Sequence, residues 1–326
     1  MAAADQIKTL IQSFGSDDEA RFFATAMQIA ASEARKGNTT FAEELKSVID
    51  KAKVGRHGPK GLLKNLPVNE AQKELSDLLE VEYPRVKLQD MVLDQNVQNS
   101  LKRVVDEQAN VELLRQNNLS PRKRLLFVGP PGCGKTMSAK VLASELAIPL
   151  FVIRLDGLIS RYMGESIAKL RMIFDAIRQY RAVYLFDEFD SIGTTRTHGN
   201  DVGEIKRVLN SFLLLIERDD SNSLIIAATN LPETLDAALF RRFDDIVSYP
   251  LPGKQQIKEY FKTHLTDLKL AKSLNYTKIA DMALGLNYSE MNNICMDIYK
   301  NGLIYGKKEL TITSLKTYIE QRKKPF

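Results

Sequence analysis

The stretch GPPGCGKT, residues 129–136, sets three glycines and two prolines against a lysine and a threonine, directly after the apolar run RLLFV. A strand that ends in GxxxxGKT and runs into a helix turns its backbone N–H groups inward, at the positive end of the helix dipole. Glycines let that backbone come close, Lys135 adds a cation for outer phosphates, and the Thr136 hydroxyl is suited to ligate magnesium. Such a loop holds a polyphosphate. An ordinary glycine turn is the bland alternative, and the strand before and helix after disfavour it.

Hydrolysis of a bound nucleotide needs more groups. The run VYLFDEFD ends an apolar strand with adjacent carboxylates. Neighbours on a strand face opposite ways, but at its end the chain leaves the pleat. Asp187 then reaches a magnesium shell while Glu188 polarises an attacking water as a general base. A third run, LIIAATN, ends in Asn230, which either orients the water or contacts the outer phosphate; taken alone, an asparagine there reads as a turn former. Further on, FRRFDD places Arg241 beside Arg242 with no acid immediately before them. Two guanidiniums at a neighbouring subunit's nucleotide would stabilise charge on the transferring phosphoryl group; otherwise they are surface.

The elements that must position these groups follow from the pattern of apolar runs. RLLFVG at 124, PLFVIRL at 149, AVYLFDEF at 182, SLIIAATN at 223 and DIVSYPLP at 245 are short, rich in β-branched residues and lack polar alternation. Helical stretches such as Met137 to Leu146 and Ser166 to Tyr180 separate them. That alternation predicts an α/β fold: a parallel sheet with helices on both faces. After Pro252 the pattern predicts amphipathic helices only, at 254–268, 276–284, 289–304 and 311–323, forming a small helical subdomain. Before the sheet, residues 1–53 read as three helices. These are Asp5 to Phe14, a second opened by the capping box from Ser16 to Glu19 and closed by Gly37, and a third opened by Thr40 with Glu43. VGRHGPKGLLKNLP at 54–67 has no periodicity and reads as a linker. The expected division is 1–53 helical domain, 54–83 linker, 84–252 α/β subdomain and 253–326 helical lid.

Composition narrows the class. The 326 residues are 44% apolar and 27% charged, in the soluble globular range. The formal charge of +5 from 46 basic and 41 acidic residues is too mild to imply nucleic acid or a membrane surface. No apolar run approaches the ~20 residues of a spanning helix, so a cytoplasmic location without membrane insertion is expected. Cys133 and Cys295 make no disulfide framework and are expected to pack, and the isolated His57, His198 and His264 show no metal-ligand spacing.

In content, order and spacing, GPPGCGKT, SRYMGES, YLFDEFDSIG and AATN followed by LDAALFRRFDD resemble the AAA ATPases, especially single-ring members such as katanin, spastin and the vacuolar sorting ATPase. The resemblance covers roughly residues 85–326. It implies a P-loop NTPase fold, ATP and magnesium as nucleotide and ion, and a homo-oligomeric ring, a hexamer. Gly129, Pro130, Pro131, Gly132, Cys133, Gly134, Lys135 and Thr136, with Met137 after them, would be the Walker A contacts; Asp187 and Glu188 would be Walker B. Asn230 would be the first sensor, and Arg241 and Arg242 the arginine fingers acting on the next protomer's ATP. DMVLDQNV matches the place where adenine is met by backbone near Met91 and Val92. GLNYSEMNNI, Gly285 to Ile294, occupies the lid position usually written GxSGADI, with Ser289 matching and Glu290 replacing glycine. Cys133 replaces the usual threonine and is expected to leave binding intact while offering an oxidisable thiol. The lid stretch has no arginine, unlike initiator and clamp-loader relatives.

The same resemblance puts SRYMGES, Ser160 to Ser166, on a loop facing a central pore, where Tyr162 and Met163 would grip an extended polypeptide. Thr194 to Asp201 lies where a second pore loop would be. Three functional classes remain open. The first is an ATP-driven protein remodeller that takes its substrate or partner through residues 1–53. The second is a nucleic-acid motor or loader, weakly permitted by the basic linker and tail and less favoured. The third is an ATP-gated scaffold working with an effector such as a separate protease.

Overall fold

The computed structural model describes residues 25–30, 32, 42, 45, 75, 77–158, 165–193, 201–266, 269–270, 274–305 and 309–323. The chain divides into two units, Met1–Gln72 and Lys73–Phe326. In the first, residues 25–30, 32, 42 and 45 are helical, with Ala26, Ala30 and Ala42 buried. These fall within the second and third expected helices; the expected helix Asp5 to Phe14 lies outside the described residues.

The second unit is built on a six-stranded sheet. In chain order the strands are β1 (Leu79–Glu82), β2 (Arg124–Val128), β3 (Leu150–Ile153), β4 (Val183–Phe186), β5 (Leu224–Thr229) and β6 (Asp245–Ser248). They lie side by side as β1-β3-β4-β5-β2-β6, all parallel except β1, which runs antiparallel to β3. The five apolar runs of the sequence are thus β2 to β6, and the fold is the α/β, helix-covered sheet of a P-loop NTPase.

The missing polar alternation has a direct cause. Along β2, β4 and β5, side chains alternate between two separate cores. Leu126, Tyr184, Phe186, Ile225 and Ala227 enter one, while Leu125, Phe127, Val183, Leu185, Ile226 and Ala228 enter the other. The first face is covered by α3 (Glu165–Gln179) and α4 (Asp201–Glu217) through Ile173, Phe174, Phe212 and Ile216. On the second lie α1 (Gln95–Ala109) and α2 (Lys135–Glu145), through Leu101, Val104, Ala139 and Leu142. A sheet covered twice has no wet face, so both sets of alternate residues must be apolar.

Downstream, α5 (Lys254–His264), α6 (Tyr276–Ala283), α7 (Tyr288–Tyr305) and α8 (Ile312–Lys323) close around a third core that includes Ile257, Phe261, Ile279, Met291, Ile294 and Leu315. Val92, which precedes α1, packs against it.

Two features depart from the sequence reading. β1 falls within 54–83, the stretch expected as linker, and pairs Leu79↔Ile153 through Glu82↔Leu150. Its four residues LEVE are too few to show a period and carry two carboxylates, which suits an edge strand. The lid, expected as helices only, also holds a two-residue parallel ladder, β7 (Lys269–Leu270) with β8 (Glu309–Leu310). Among the described residues no helix is long and apolar enough to cross a membrane.

Candidate active site

The loop between β2 and α2 has a shape that side chains would forbid. Gly129 sits at φ +144°, and a Cβ there would lie 2.2 Å from the Tyr249 carbonyl oxygen. Gly132 sits at φ +71°, where a Cβ would meet Asn287 Oδ1 at 2.7 Å. Both values lie in the region that favours glycine. The loop is therefore clamped between the end of β6 and the start of α7, and its last residue, Gly134, caps α2.

Lys135 is the first residue of α2 and is 7% exposed. Its Nζ donates to the carbonyls of Gly129 (2.7 Å) and Pro130 (2.9 Å) and to Asn230 Oδ1 (2.7 Å). Burial pulls its pKa below the ordinary lysine value, while Cys133, Asp187 and Asp190 act in the opposite direction. The ammonium thus holds three oxygen partners at the place where a polyphosphate would present its own.

Phe189 fixes the turn after β4. Its ring lies 4.8 Å from that of Phe212, centroid to centroid, and its N–H donates to Ala228 O at 2.8 Å. With Phe189 drawn into the core, Asp187 and Glu188 are turned toward the loop. Thr136 Oγ1 donates to Asp187 Oδ2 at 2.7 Å, and the Glu188 N–H donates to Asp187 Oδ1 at 2.9 Å. Glu188 is exposed and adopts φ +51°, a left-handed backbone that a non-glycine residue takes up rarely and often at working sites. Asp190 Oδ1 accepts from Thr229 Oγ1 (2.9 Å) and the Asn230 N–H (3.3 Å), which sets Asn230 opposite Lys135.

A hydroxyl and a carboxylate side by side are hard oxygen donors. They suit magnesium, an ion that takes one or two protein oxygens and leaves its remaining positions to water and phosphate. Thr136 and Asp187 therefore fit it.

The lid closes the site from above. The Asn287 N–H donates to Glu290 Oε2 and the Glu290 N–H to Asn287 Oδ1, both at 2.8 Å, a reciprocal cap that starts α7. Glu290, the departure from the family's glycine, is thus a capping residue. The Ser289 N–H donates to Gly132 O at 3.3 Å, joining lid and loop.

One cleft of about 610 Å³ gathers most of the expected residues: Met91, Val92, Pro131, Gly132, Gly134, Lys135, Thr136, Met137, Asp187, Glu188, Asn230 and Ser289. Gly129 and Pro130 lie behind it and act through their carbonyls. Cys133 is 1% exposed, and burial raises its thiol pKa. A buried, protonated thiol is a poor target, which corrects the expectation of an oxidisable one. Arg241 and Arg242 do not line the cleft. Arg241 is exposed and makes no ion pair among the described residues. Arg242 folds inward, with Nη1 donating to Ala238 O at 3.0 Å and Nη2 lying 3.8 Å from Glu217 Oε2. Tyr162, Met163 and residues 194–200 lie outside the described residues.

Sequence reasoning missed Tyr260, His264, Tyr288 and Asn292, all lid residues on the cleft. The Tyr260 and His264 rings stack at 4.0 Å and 14°, one turn apart on α5. His264 Nδ1 also lies 2.9 Å from Tyr260 O. Their i, i+4 spacing was a usable signal, but only the fold shows that this face looks into the cleft. A flat stacked pair suits a planar heterocycle.

The model of the ATPase family associated with various cellular activities (AAA) matches residues 125–251. A Sinorhizobium fredii protein named uncharacterized AAA family ATPase y4kL is 33% identical over 95% of this chain and 92% of its own length. The proteasome-activating nucleotidase of Sulfurisphaera tokodaii is 32% identical over 74% of this chain and 64% of its own. The ATP-dependent zinc metalloprotease FtsH of a Sulfurovum species is 32% identical over 75% of this chain and 38% of its own. The chain therefore spans nearly all of the first and less than two thirds of the other two.

Proposed function

The chain belongs to the AAA family of ATPases, and on that premise we propose that it is a ring-forming, ATP-driven remodeller of polypeptides whose active site is shared between adjacent copies. The observation that carries the reading is the convergence of Lys135, Thr136, Asp187, Glu188 and Asn230 on one lid-covered cleft.

In this reading the loop N–H groups cradle the phosphates, and Lys135 exchanges its present oxygen partners for phosphate oxygens. Thr136 and Asp187 would hold magnesium, which when bound would offset charge on the outer phosphates. Glu188 takes the proton of the attacking water, and Asn230 orients that water or the outer phosphate. Met91, Val92 and the Tyr260–His264 stack line the same cleft and would be the residues to meet the purine. Of the two expected fingers, Arg241 is the one offered to the neighbouring copy's reaction, in keeping with its absence from this copy's cleft, while Arg242, held by Ala238 O and Glu217, supports the turn beside it.

Polypeptide as the substrate is supported by the names of two relatives, one a proteasome activator and one a protease. Tyr162 with Met163 would supply an aromatic and a thioether, an apolar grip indifferent to sequence. Residues 1–53 would choose the substrate or partner, the ATPase subdomain would run from β1 to residue 252, and the lid would be 253–326. A cytoplasmic hexamer is the expected setting.

The test measures ATP turnover with and without an unfolded protein, for the native chain and Tyr162→Ala. Stimulation lost in the variant supports the reading. Stimulation by DNA instead, or an unaltered Tyr162→Ala response, overturns the polypeptide assignment.

A further inference from the structure

Asp244 stands three residues after Arg241, at the foot of β6, and its contacts lead across the molecule. Its Oδ2 accepts the N–H groups of Lys123 and Arg124, both at 2.9 Å, and its own N–H donates to Arg124 O at 2.8 Å. A carboxylate held by two backbone N–H groups is a strong, directional fastening. It ties the turn that carries the arginines to the first residues of β2.

That anchor is itself fixed. Lys123 Nζ donates to Asp219 Oδ2 at 3.1 Å and to the carbonyls of Asp219 and Ser221, and Arg124 Nη2 donates to Asp219 O at 2.9 Å. The Asp219 side chain is fully buried. From there β2 and β6 run in parallel register from Leu125↔Asp245 to Val128↔Ser248, and the Tyr249 N–H closes the pairing on Val128 O at 2.7 Å. Gly129, the first residue of the phosphate loop, follows at once. One strand of five residues therefore has the loop for this copy's ATP at one end and the arginine turn at the other. Its length, about 16 Å at the usual rise, sets the spacing between them.

Arg242 is already occupied by Ala238 O and Glu217. Arg241 is exposed without an ion pair among the described residues, so the turn's backbone sets its direction. We propose that Asp244 is a positioning residue: by fastening the Arg241 turn to β2, it aims Arg241 at the adjacent copy's nucleotide. The inference rests on the shared-site reading above.

The experiment measures steady-state ATP turnover of Asp244→Ala alone, and after subunit exchange with Lys135→Ala or with Arg241→Ala. Alone, kcat should fall about a hundredfold, the penalty of an ångström-scale misplacement, with KM for ATP within about twofold, as expected for a group acting on the transition state of another copy's reaction. Lys135→Ala subunits keep a native arginine turn and should restore turnover at the Asp244→Ala subunits' intact clefts. Arg241→Ala subunits lack the arginine and should restore none. Asp244→Asn leaves a weaker, neutral acceptor; it should give an intermediate kcat with the same mixing pattern, and it serves if the alanine variant does not fold.

Full kcat in both variants overturns the proposal. So does the absence of rescue by Lys135→Ala when Arg241→Ala is rescued by it. If Arg241→Ala itself gains nothing from Lys135→Ala at any ratio, the shared-site reading fails first and takes this inference with it.

Discussion

Lys135 Nζ donates to Asn230 Oδ1 at 2.7 Å, a bond that ties the phosphate loop on β2 to the end of β5. The two strands are adjacent and in register, Val128↔Thr229, so the pair closes the angle between them. An incoming phosphate must compete with Asn230 for the ammonium. Asn230→Asp would turn a neutral hydrogen bond into an ion pair and set a negative charge beside the phosphates. ATP affinity should fall about 10- to 100-fold, the worth of a charge-assisted bond. Asn230→Ala should bind ATP within about threefold of the native chain and lose turnover instead. Fluorescent-nucleotide titration and steady-state rates separate the two; unchanged affinity in Asn230→Asp would show that Lys135 does not meet the phosphates.

Glu188→Gln keeps side-chain shape and removes the basic oxygen. ATP binding should persist while turnover falls by about two to four orders of magnitude. Single-turnover hydrolysis at saturating ATP is the measurement, and a native rate would remove Glu188 from the role of base.

The apolar runs at 124, 149, 182 and 223 were legible as strands because their residues alternate between two cores. The run at 245 was legible from its β-branched pair Ile246 and Val247, although it forms an edge strand with Ile246 and Ser248 exposed. The phosphate loop was legible because glycine, lysine and threonine must follow in fixed order along a local segment. β1 was not, since four residues with two glutamates carry no period and their pairing with β3 is settled far along the chain. The Tyr260–His264 stack escaped for a related reason: α5 shows an amphipathic pattern from its own residues, but which face meets β2's loop depends on how the lid packs. The unequal state of Arg241 and Arg242 was equally hidden, because Glu217 and Ala238 become neighbours of Arg242 only in the folded chain.

That inequality predicts different losses. Arg241→Ala should lower turnover by up to ~10³ and recover on mixing with Lys135→Ala subunits. Arg242→Ala removes a partly exposed pair with Glu217, which should cost at most about 1 kcal/mol of stability, with a smaller loss of turnover. Rates and melting temperatures of the two variants test this; equal losses of turnover would make both arginines direct participants.

Gly132→Ala tests the junction of loop and lid. Its Cβ would press on Asn287 Oδ1 at 2.7 Å and Ser289 Cβ at 3.0 Å, with φ at +71°. The backbone alone should cost about 1–2 kcal/mol, and displacing Asn287 would loosen the cap on α7. Melting temperature and ATP affinity should fall together. A lowered melting temperature with native affinity would mean that the lid need not touch the loop for binding.

Lys135 gives the site a pH dependence whose sign follows from burial. Its folded pKa is lowered from the ordinary 10.5. Between the lowered value and 10.5 the unfolded chain holds more protons than the folded one. This residue's contribution to stability is therefore fully present above 10.5 and lost as pH falls through the folded value. Nucleotide binding runs the other way, because phosphates favour the charged ammonium and raise its pKa. ATP affinity should decline as the solution becomes alkaline, beginning below the ordinary lysine range, and binding there should take up a fraction of a proton. Calorimetric titration at about pH 9 in two buffers of different ionisation enthalpy measures that uptake. Zero uptake together with an affinity flat from neutral pH to about 10 would mean that Lys135 stays fully charged despite its burial, with Asp187 and Asp190 outweighing desolvation.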